Sequence, residues 1–106
     1  MNWLAYFQSW INPNQMTLKR HGINAVLSPS TENTDKNSIR ADFDTDEYVG
    51  RITLWDSGEC DMEIADIQSG EAVCWKHYTF GGMEEAEETM AEFVRRLHSS
   101  QLTKSA

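Results

Sequence analysis

The 106-residue chain has few cysteines and no long apolar run, and each of these shortages excludes a class of protein. Its two cysteines, Cys60 and Cys74, are too few for a disulfide framework, and they fall at non-opposed positions of the hairpin predicted below. No stretch approaches the roughly 20 apolar residues of a membrane-spanning helix. The start MNWLAYFQSWINP lacks the basic residues of a signal peptide. We therefore expect one cytoplasmic domain, spanning residues 1–106, that does not contact a membrane.

Basic residues are also scarce, because 9 Lys and Arg stand against 17 Asp and Glu and give a formal net charge of −8. The segment from Thr31 to Asp66 holds eleven acids and three bases, so its eight negative charges equal those of the whole chain. The other 70 residues carry six acids and six bases. A surface of this kind repels nucleic acid and anionic membranes and attracts basic proteins. The composition therefore favours a protein-binding function.

Two segments have the spacing of amphipathic helices. The first has apolar residues at positions 3, 4, 7, 10 and 11. Pro13 is expected to end or kink it, with helical character resuming from Gln15 to Arg20 and a stop at Gly22. The second helix follows Gly81 and Gly82 and runs to about His98, and we expect the tail beyond it to fray. Its apolar stripe consists of Ala86, Met90, Phe93, Val94 and Leu97.

Between these helices, apolar and polar residues alternate with the period of β-strands. Val73 and Trp75 are expected to point inward from the last strand, and Ser30 to Asn37 to form a polar, mobile loop. The predicted fold is α+β, an antiparallel meander of about five strands flanked by an N-terminal and a C-terminal helix (α-β5-α), with both helices on one face. The predicted strands are Ile23–Leu27, Ile39–Asp44, Arg51–Trp55, Cys60–Ala65 and Glu71–Thr79.

No complete motif for catalysis or metal binding accompanies this pattern. Three aspartates have the D-x-D-x-D spacing of a calcium loop, namely Asp42, Asp44 and Asp46. However, Glu47 occupies the position of the required glycine, and Thr53 that of the final glutamate. The chain has three histidines, His21, His77 and His98, and none of them has a Cys or His neighbour at the spacing of a zinc site. We therefore expect no enzymatic activity, no metal and no cofactor.

Trp55 is the first candidate for a binding residue. The alternation that buries Ile52 and Leu54 turns Trp55 toward solvent, near the acids of the next strand. An exposed tryptophan among carboxylates is typical of a hot spot for an Arg- or Lys-rich partner, and the alternative is that Trp55 tucks under a loop at the strand end. The aromatic residues of the first helix are a second candidate surface, for which core packing is favoured. The predicted binding residues are Asp42, Asp44, Trp55, Asp61 and Glu63.

The run from Tyr48 to Glu63, YVGRITLWDSGECDME, carries a resemblance to a known family. Together with the helix–meander–helix order, the turn at Ser69–Glu71, Trp75 and the Glu-rich last helix with Phe93, it resembles the TriTu family of immunity proteins. The resemblance implies an antidote in the bacterial cytoplasm that binds a toxin domain, in a 1:1 complex. It implies a toxin of the TreTu type, an ADP-ribosyltransferase that uses NAD to modify elongation factor Tu and is delivered on a Rhs protein by type VI secretion. The antidote acts by binding the toxin and does not remove the modification.

Two other functions stay open at this point. An acidic mimic of nucleic acid would inhibit a nuclease, and its carboxylates would need phosphate-like spacing. A small enzyme or ligand-binding domain would use a cleft with His77, Tyr78 and Cys74. In each case we expect the free protein to be monomeric, because a net charge of −8 opposes self-association.

Overall fold

The structure, a computed structural model, describes residues 3–29 and 38–105, and the side chains of residues 3–28 and 38–97. The predicted loop from Ser30 to Asn37 lies outside the described residues. Helix α1 (Trp3–Arg20) is followed by one antiparallel sheet in the order β1-β2-β3-β4-β5 and by helix α2 (Met83–Ser105), which confirms the predicted α+β meander. The strands are β1 (Asn24–Pro29), β2 (Ser38–Asp44), β3 (Tyr48–Trp55), β4 (Glu59–Asp66) and β5 (Ala72–Thr79).

Pro13 lies inside α1 and does not end the helix. Proline has no N–H, so the carbonyl of Ser9 loses its helical partner. Both residues are exposed, and water can replace the missing bond. The apolar stripe of α1 continues past this point, with Phe7, Ile11 and Leu18 all buried. The expected break is wrong because the lost bond lies on the solvent side, while core contacts hold both halves of the helix.

One face of the sheet is buried beneath both helices. Alternate residues of β2, β3 and β4 are buried, from Ile39 to Ile64, and they belong to a single core. The same core contains Ile11 from α1 and Met90 from α2. Removal of this apolar surface from water is the main stabilising term for a domain of this size. The opposite face of the sheet is left uncovered by α1 and α2.

Gly50 allows the closest approach of α2 to the sheet. A Cβ atom at Gly50 would lie 2.8 Å from Cζ of Phe93. The Phe93 ring also packs on Phe43, with ring centroids 5.1 Å apart and 60° between the planes. Phe93 is 3% exposed, so this one side chain fixes α2 against both β2 and β3.

A chain of aromatic rings joins α1 to the end of the sheet. The Trp3 ring lies edge-on to Tyr6 at 5.9 Å and 5.7 Å from Phe80, and Tyr78 stacks on Phe80 at 5.9 Å. Gly58, in the turn between β3 and β4, has a φ of +93° and lies directly beneath the Trp3 indole. A side chain at that position would be strained and would also meet Trp3. These contacts assign the buried aromatic residues of α1 to the core.

The inward side of β5 differs from the predicted one. Tyr78 lies opposite the buried Cys60 and Cys74 opposite the buried Ile64, so the even-numbered residues from Cys74 to Tyr78 share the core side. Val73 and Trp75, which were expected to point inward, are 54% and 63% exposed. The prediction is wrong because β5 is an edge strand whose core side is barely covered, so its apolar residues do not mark the buried face.

The two cysteines differ in their accessibility. Both are free thiols. Burial, the larger cause, and the nearby Asp61 carboxylate, the smaller one, together raise the pKa of the Cys60 thiol to about 12. Cys74 is half-buried and accepts a hydrogen bond from Arg96 Nη1 at 3.6 Å. We predict that a thiol reagent at about pH 8 modifies Cys74 in the native protein and Cys60 only after unfolding, since the thiolate is the reactive form.

Mass spectrometry of the labelled protein checks this prediction. The variant Cys74→Ser should show no label in its native state. Equal labelling rates for Cys60 and Cys74 in the native protein would contradict the difference in burial.

Candidate functional site

The candidate site is the uncovered face of the sheet, which we call the open face. It is formed by the residues that alternate with core residues along the strands. Five strands of up to eight residues give a face of about 20 Å by 26 Å, or about 500 Å², which is of the same order as the roughly 800 Å² that each partner buries in a standard interface. Its side chains include Val26, Arg40, Asp42, Asp44, Val49, Arg51, Thr53, Trp55, Glu59, Asp61, Glu63, Trp75 and His77.

The five residues predicted to bind a partner all lie on the open face. Asp42 and Asp44 lie on β2, Trp55 at the end of β3, and Asp61 and Glu63 on β4. Alternation along the strands brings the four acids together, as the sequence predicts. Trp55 is half-buried, which is intermediate between the two alternatives, a side chain exposed to solvent and one tucked under a loop.

Two of the four predicted acids have partners. Nε of Arg40 and Nε of Arg51 donate to the two carboxylate oxygens of Asp42, at 3.1 and 2.9 Å. Oδ1 of Asp61 lies 2.5 Å from Nδ1 of His77. These groups are all partly exposed, so each pair contributes less than about 1 kcal/mol to stability. Their main effect is to hold the side chains in place across β2 to β5.

The other two acids, Asp44 and Glu63, have side chains without an ion-pair or hydrogen-bond partner among the described residues. Glu63 lies opposite Arg51 on one side and Trp75 on the other. However, the guanidinium of Arg51 is turned toward β2. Both carboxylates are therefore available to a cationic group of a partner.

The open face is less acidic than the sequence alone suggests. Its five carboxylates, including Glu59 at the start of β4, and its two guanidinium groups leave three negative charges out of the net eight. Asp46, Glu47 and Asp56 lie in turns instead, and Asp66 Oδ1 accepts hydrogen bonds from the backbone N–H groups of residues 68 and 69 at 2.8 and 3.3 Å. The open face is thus a mixed apolar and charged surface.

Trp75 is the open-face residue that the sequence analysis missed. It is 63% exposed, the most exposed aromatic side chain among the described residues. Had Cys74 and Tyr78 been assigned to the inward side of β5, Trp75 would have been placed outside. The aromatic character of Tyr78, next to the buried Phe80, was the signal for that assignment.

The open face contains a shallow concavity of about 490 Å³. Val26 and Val49, which are 57% and 44% exposed, supply part of its apolar lining. The side chains of Asp44, Arg51 and Glu63 lie around them. Exposed apolar groups bordered by charges are typical of a surface that binds another protein.

Other kinds of site find little support in the described part of the chain. There, no group of three or more His, Cys, Asp or Glu side chains is placed to hold a metal ion. Neither α1 nor α2 has an apolar stretch long enough to cross a membrane. His77 lies on the open face beside Asp61, whereas Cys74 and Tyr78 face the helices, so the three do not line one cleft.

Comparison with known proteins identifies the family. A family model described as Immunity protein TriTu matches residues 5–96. No curated protein matches the chain. The matched range includes all five strands, and therefore the core side of the sheet and the whole open face. The protein belongs to the TriTu family of immunity proteins.

Proposed function

We propose that this immunity protein neutralises an ADP-ribosyltransferase toxin of the TreTu type. The family resemblance supports a toxin that uses NAD to modify elongation factor Tu and that is carried on a Rhs protein delivered by type VI secretion. The immunity protein acts in the bacterial cytoplasm as a single domain spanning residues 1–106. It binds the toxin as a monomer in a 1:1 complex, without catalysis, metal or cofactor.

The observation that carries this proposal is the open face, a whole side of the sheet left uncovered by the helices. Interfaces combine apolar anchors with polar groups that set register and specificity. The open face offers both, since its exposed valines lie beside carboxylates that lack partners within the described residues. The proposed contact residues are Asp42, Asp44, Trp55, Asp61 and Glu63.

The charge of the chain supports rapid capture of a basic toxin surface. A net charge of −8 attracts a cationic partner over distances of about 10 Å at moderate salt. Electrostatic steering of this kind can raise association rate constants to about 10⁸–10⁹ M⁻¹s⁻¹ at low salt. An antidote gains from such speed, because the toxin damages translation as soon as it is free.

A mimic of nucleic acid is less well supported. Such a mimic needs a row of unneutralised carboxylates, whereas Asp42 is bridged by two arginines and Asp61 contacts His77. The pairing leaves two of the four predicted acids for phosphate mimicry, Asp44 and Glu63. A mixed surface of this kind fits a protein partner better.

Titration calorimetry with a catalytically inactive TreTu-type toxin domain tests the proposal. We expect tight 1:1 binding, with an association rate, followed by stopped flow, that falls as salt rises. The double variant Asp44→Asn/Glu63→Gln should associate about tenfold more slowly at low salt.

The matched control is Glu84→Gln/Glu88→Gln, which removes the same charge from exposed positions of α2. Its association rate should change less than that of the open-face variant. Absence of binding at both low and high salt would overturn the proposed function.

A further inference from the structure

We infer that the toxin adds an extended segment to the outer edge of β5 and places an arginine side chain of that segment across the Trp75 ring, within reach of Glu63. The inference rests on the proposed function, because it specifies which part of the immunity protein receives the toxin and by what chemistry. It arises from the two edges of the sheet, which differ in how they are protected.

The β1 edge is blocked. The carbonyl of Ala25 accepts a hydrogen bond from Gln15 Nε2 at 3.0 Å, so a side chain of α1 already occupies part of that edge. The strand also ends at Pro29, which has no N–H to donate. An added strand would have to displace Gln15 and would still lack a donor at the end of β1.

The β5 edge is open. The strand has eight residues, contains no proline and pairs with β4 on one side. Among the described residues, no hydrogen bond reaches its outer edge. Six of its residues are exposed, and Cys74 and Tyr78 are half-buried.

The hydrogen-bond pattern identifies the free backbone groups. The N–H of Phe80 donates to the carbonyl of Gly58 at 3.0 Å. Since paired and unpaired positions alternate in an antiparallel ladder, the even-numbered residues from Cys74 to Tyr78 bond toward β4. The N–H and C=O groups of Trp75, His77 and Thr79 therefore point outward. An extended segment paired with them would become the sixth strand, the mode of recognition known as β-augmentation.

The side chains beside this edge indicate the chemistry of the added segment. A residue directly opposite Trp75 would place its Cβ about 5 Å away on the open face. Trp75 is 63% exposed and lies opposite Glu63, whose carboxylate has no partner among the described residues. An indole face beside a free carboxylate favours arginine, because the guanidinium can stack on the ring and still donate hydrogen bonds to the carboxylate.

A second copy of the immunity protein fits this edge less well. Each copy carries a net charge of −8, so two copies repel each other, whereas a cationic toxin segment is attracted.

Hydrogen exchange of individual amides, followed by NMR, tests the inference on the full chain. The amides of Trp75, His77 and Thr79 should exchange rapidly in the free protein and at least about tenfold more slowly with the inactive TreTu-type toxin domain bound. The amides of Cys74 and Tyr78 serve as internal controls, because their bonds to β4 protect them in both states.

Two affinity measurements accompany the exchange data. Trp75→Ala should weaken toxin binding about 30-fold. Met83→Ala, which removes an exposed apolar side chain from α2, should leave the affinity within about threefold of the wild-type value.

The outcomes separate the inference from the proposed function. Tight toxin binding with unchanged exchange at Trp75, His77 and Thr79 would overturn the edge-strand inference and leave the proposed function intact. Absence of toxin binding would overturn both. Protection of the same amides without toxin, growing with protein concentration, would mean that a second copy occupies the edge and would also overturn the inference.

Discussion

Replacing Phe93 by alanine is expected to lower the free energy of unfolding by about 3–5 kcal/mol. Phe93 is the side chain through which α2 contacts the sheet at Gly50 and Phe43. The backbone at Gly50 cannot move in to fill the space, because β3 is held in the ladder by β2 and β4. A cavity would therefore remain, and its cost adds to the lost apolar burial.

Urea denaturation followed by tryptophan fluorescence measures this loss. A domain of this size has a total stability of about 5–15 kcal/mol, so the predicted loss is a large fraction of the total. Val94→Ala, a change at the half-buried neighbouring residue, should cost clearly less. A loss below about 1 kcal/mol for Phe93→Ala would show that α2 does not depend on this contact.

The central part of the fold could be predicted because its strands alternate strictly. In β3, Ile52 and Leu54 are fully buried, whereas Arg51 is exposed and Thr53 half-buried. This pattern requires one covered and one uncovered face. The short glycine turns then require an antiparallel meander, and two amphipathic helices are enough to cover one face of it.

The edges of the fold could not be predicted from local patterns. Pro13 predicts a helix break from its own chemistry, but the continuation of α1 depends on the buried Ile11 and Leu18 on either side of it. In β5, Val73 and Trp75 are more apolar than their neighbours and yet lie outside, because little of the core reaches this strand. Both outcomes depend on contacts distant in sequence.

For the candidate site, the sequence predicts which acids share a face of the sheet, but it does not predict which of them are paired. The alternation of β2 and β4 places Asp42 and Asp61 on one face without knowledge of any contact. It does not reveal that these two acids are the paired ones, because their partners, Arg51 and His77, are set by strand register. Trp75 was missed for the same reason as the inward side of β5.

The second large effect, a loss of toxin binding, is expected when an arginine is placed at the centre of the open face. Thr53 lies opposite Arg40 on β2 and Asp61 on β4. In Thr53→Arg, the longer side chain would stand in the middle of the proposed docking surface and bring a positive charge toward the proposed basic surface of the toxin. We expect toxin binding to weaken at least about 30-fold, which corresponds to about 2 kcal/mol. Stability should change little, because Thr53 is outside the core.

The dissociation constants of Thr53→Arg and Ala91→Arg for the inactive TreTu-type toxin domain, measured side by side by calorimetry, test the role of the open face most directly. Ala91 is exposed on α2, so its variant adds the same side chain and charge on the opposite side of the molecule. We predict a loss of at least about 30-fold for Thr53→Arg and less than about threefold for Ala91→Arg. Wild-type affinity in Thr53→Arg, or a larger loss in Ala91→Arg, would contradict binding through the open face.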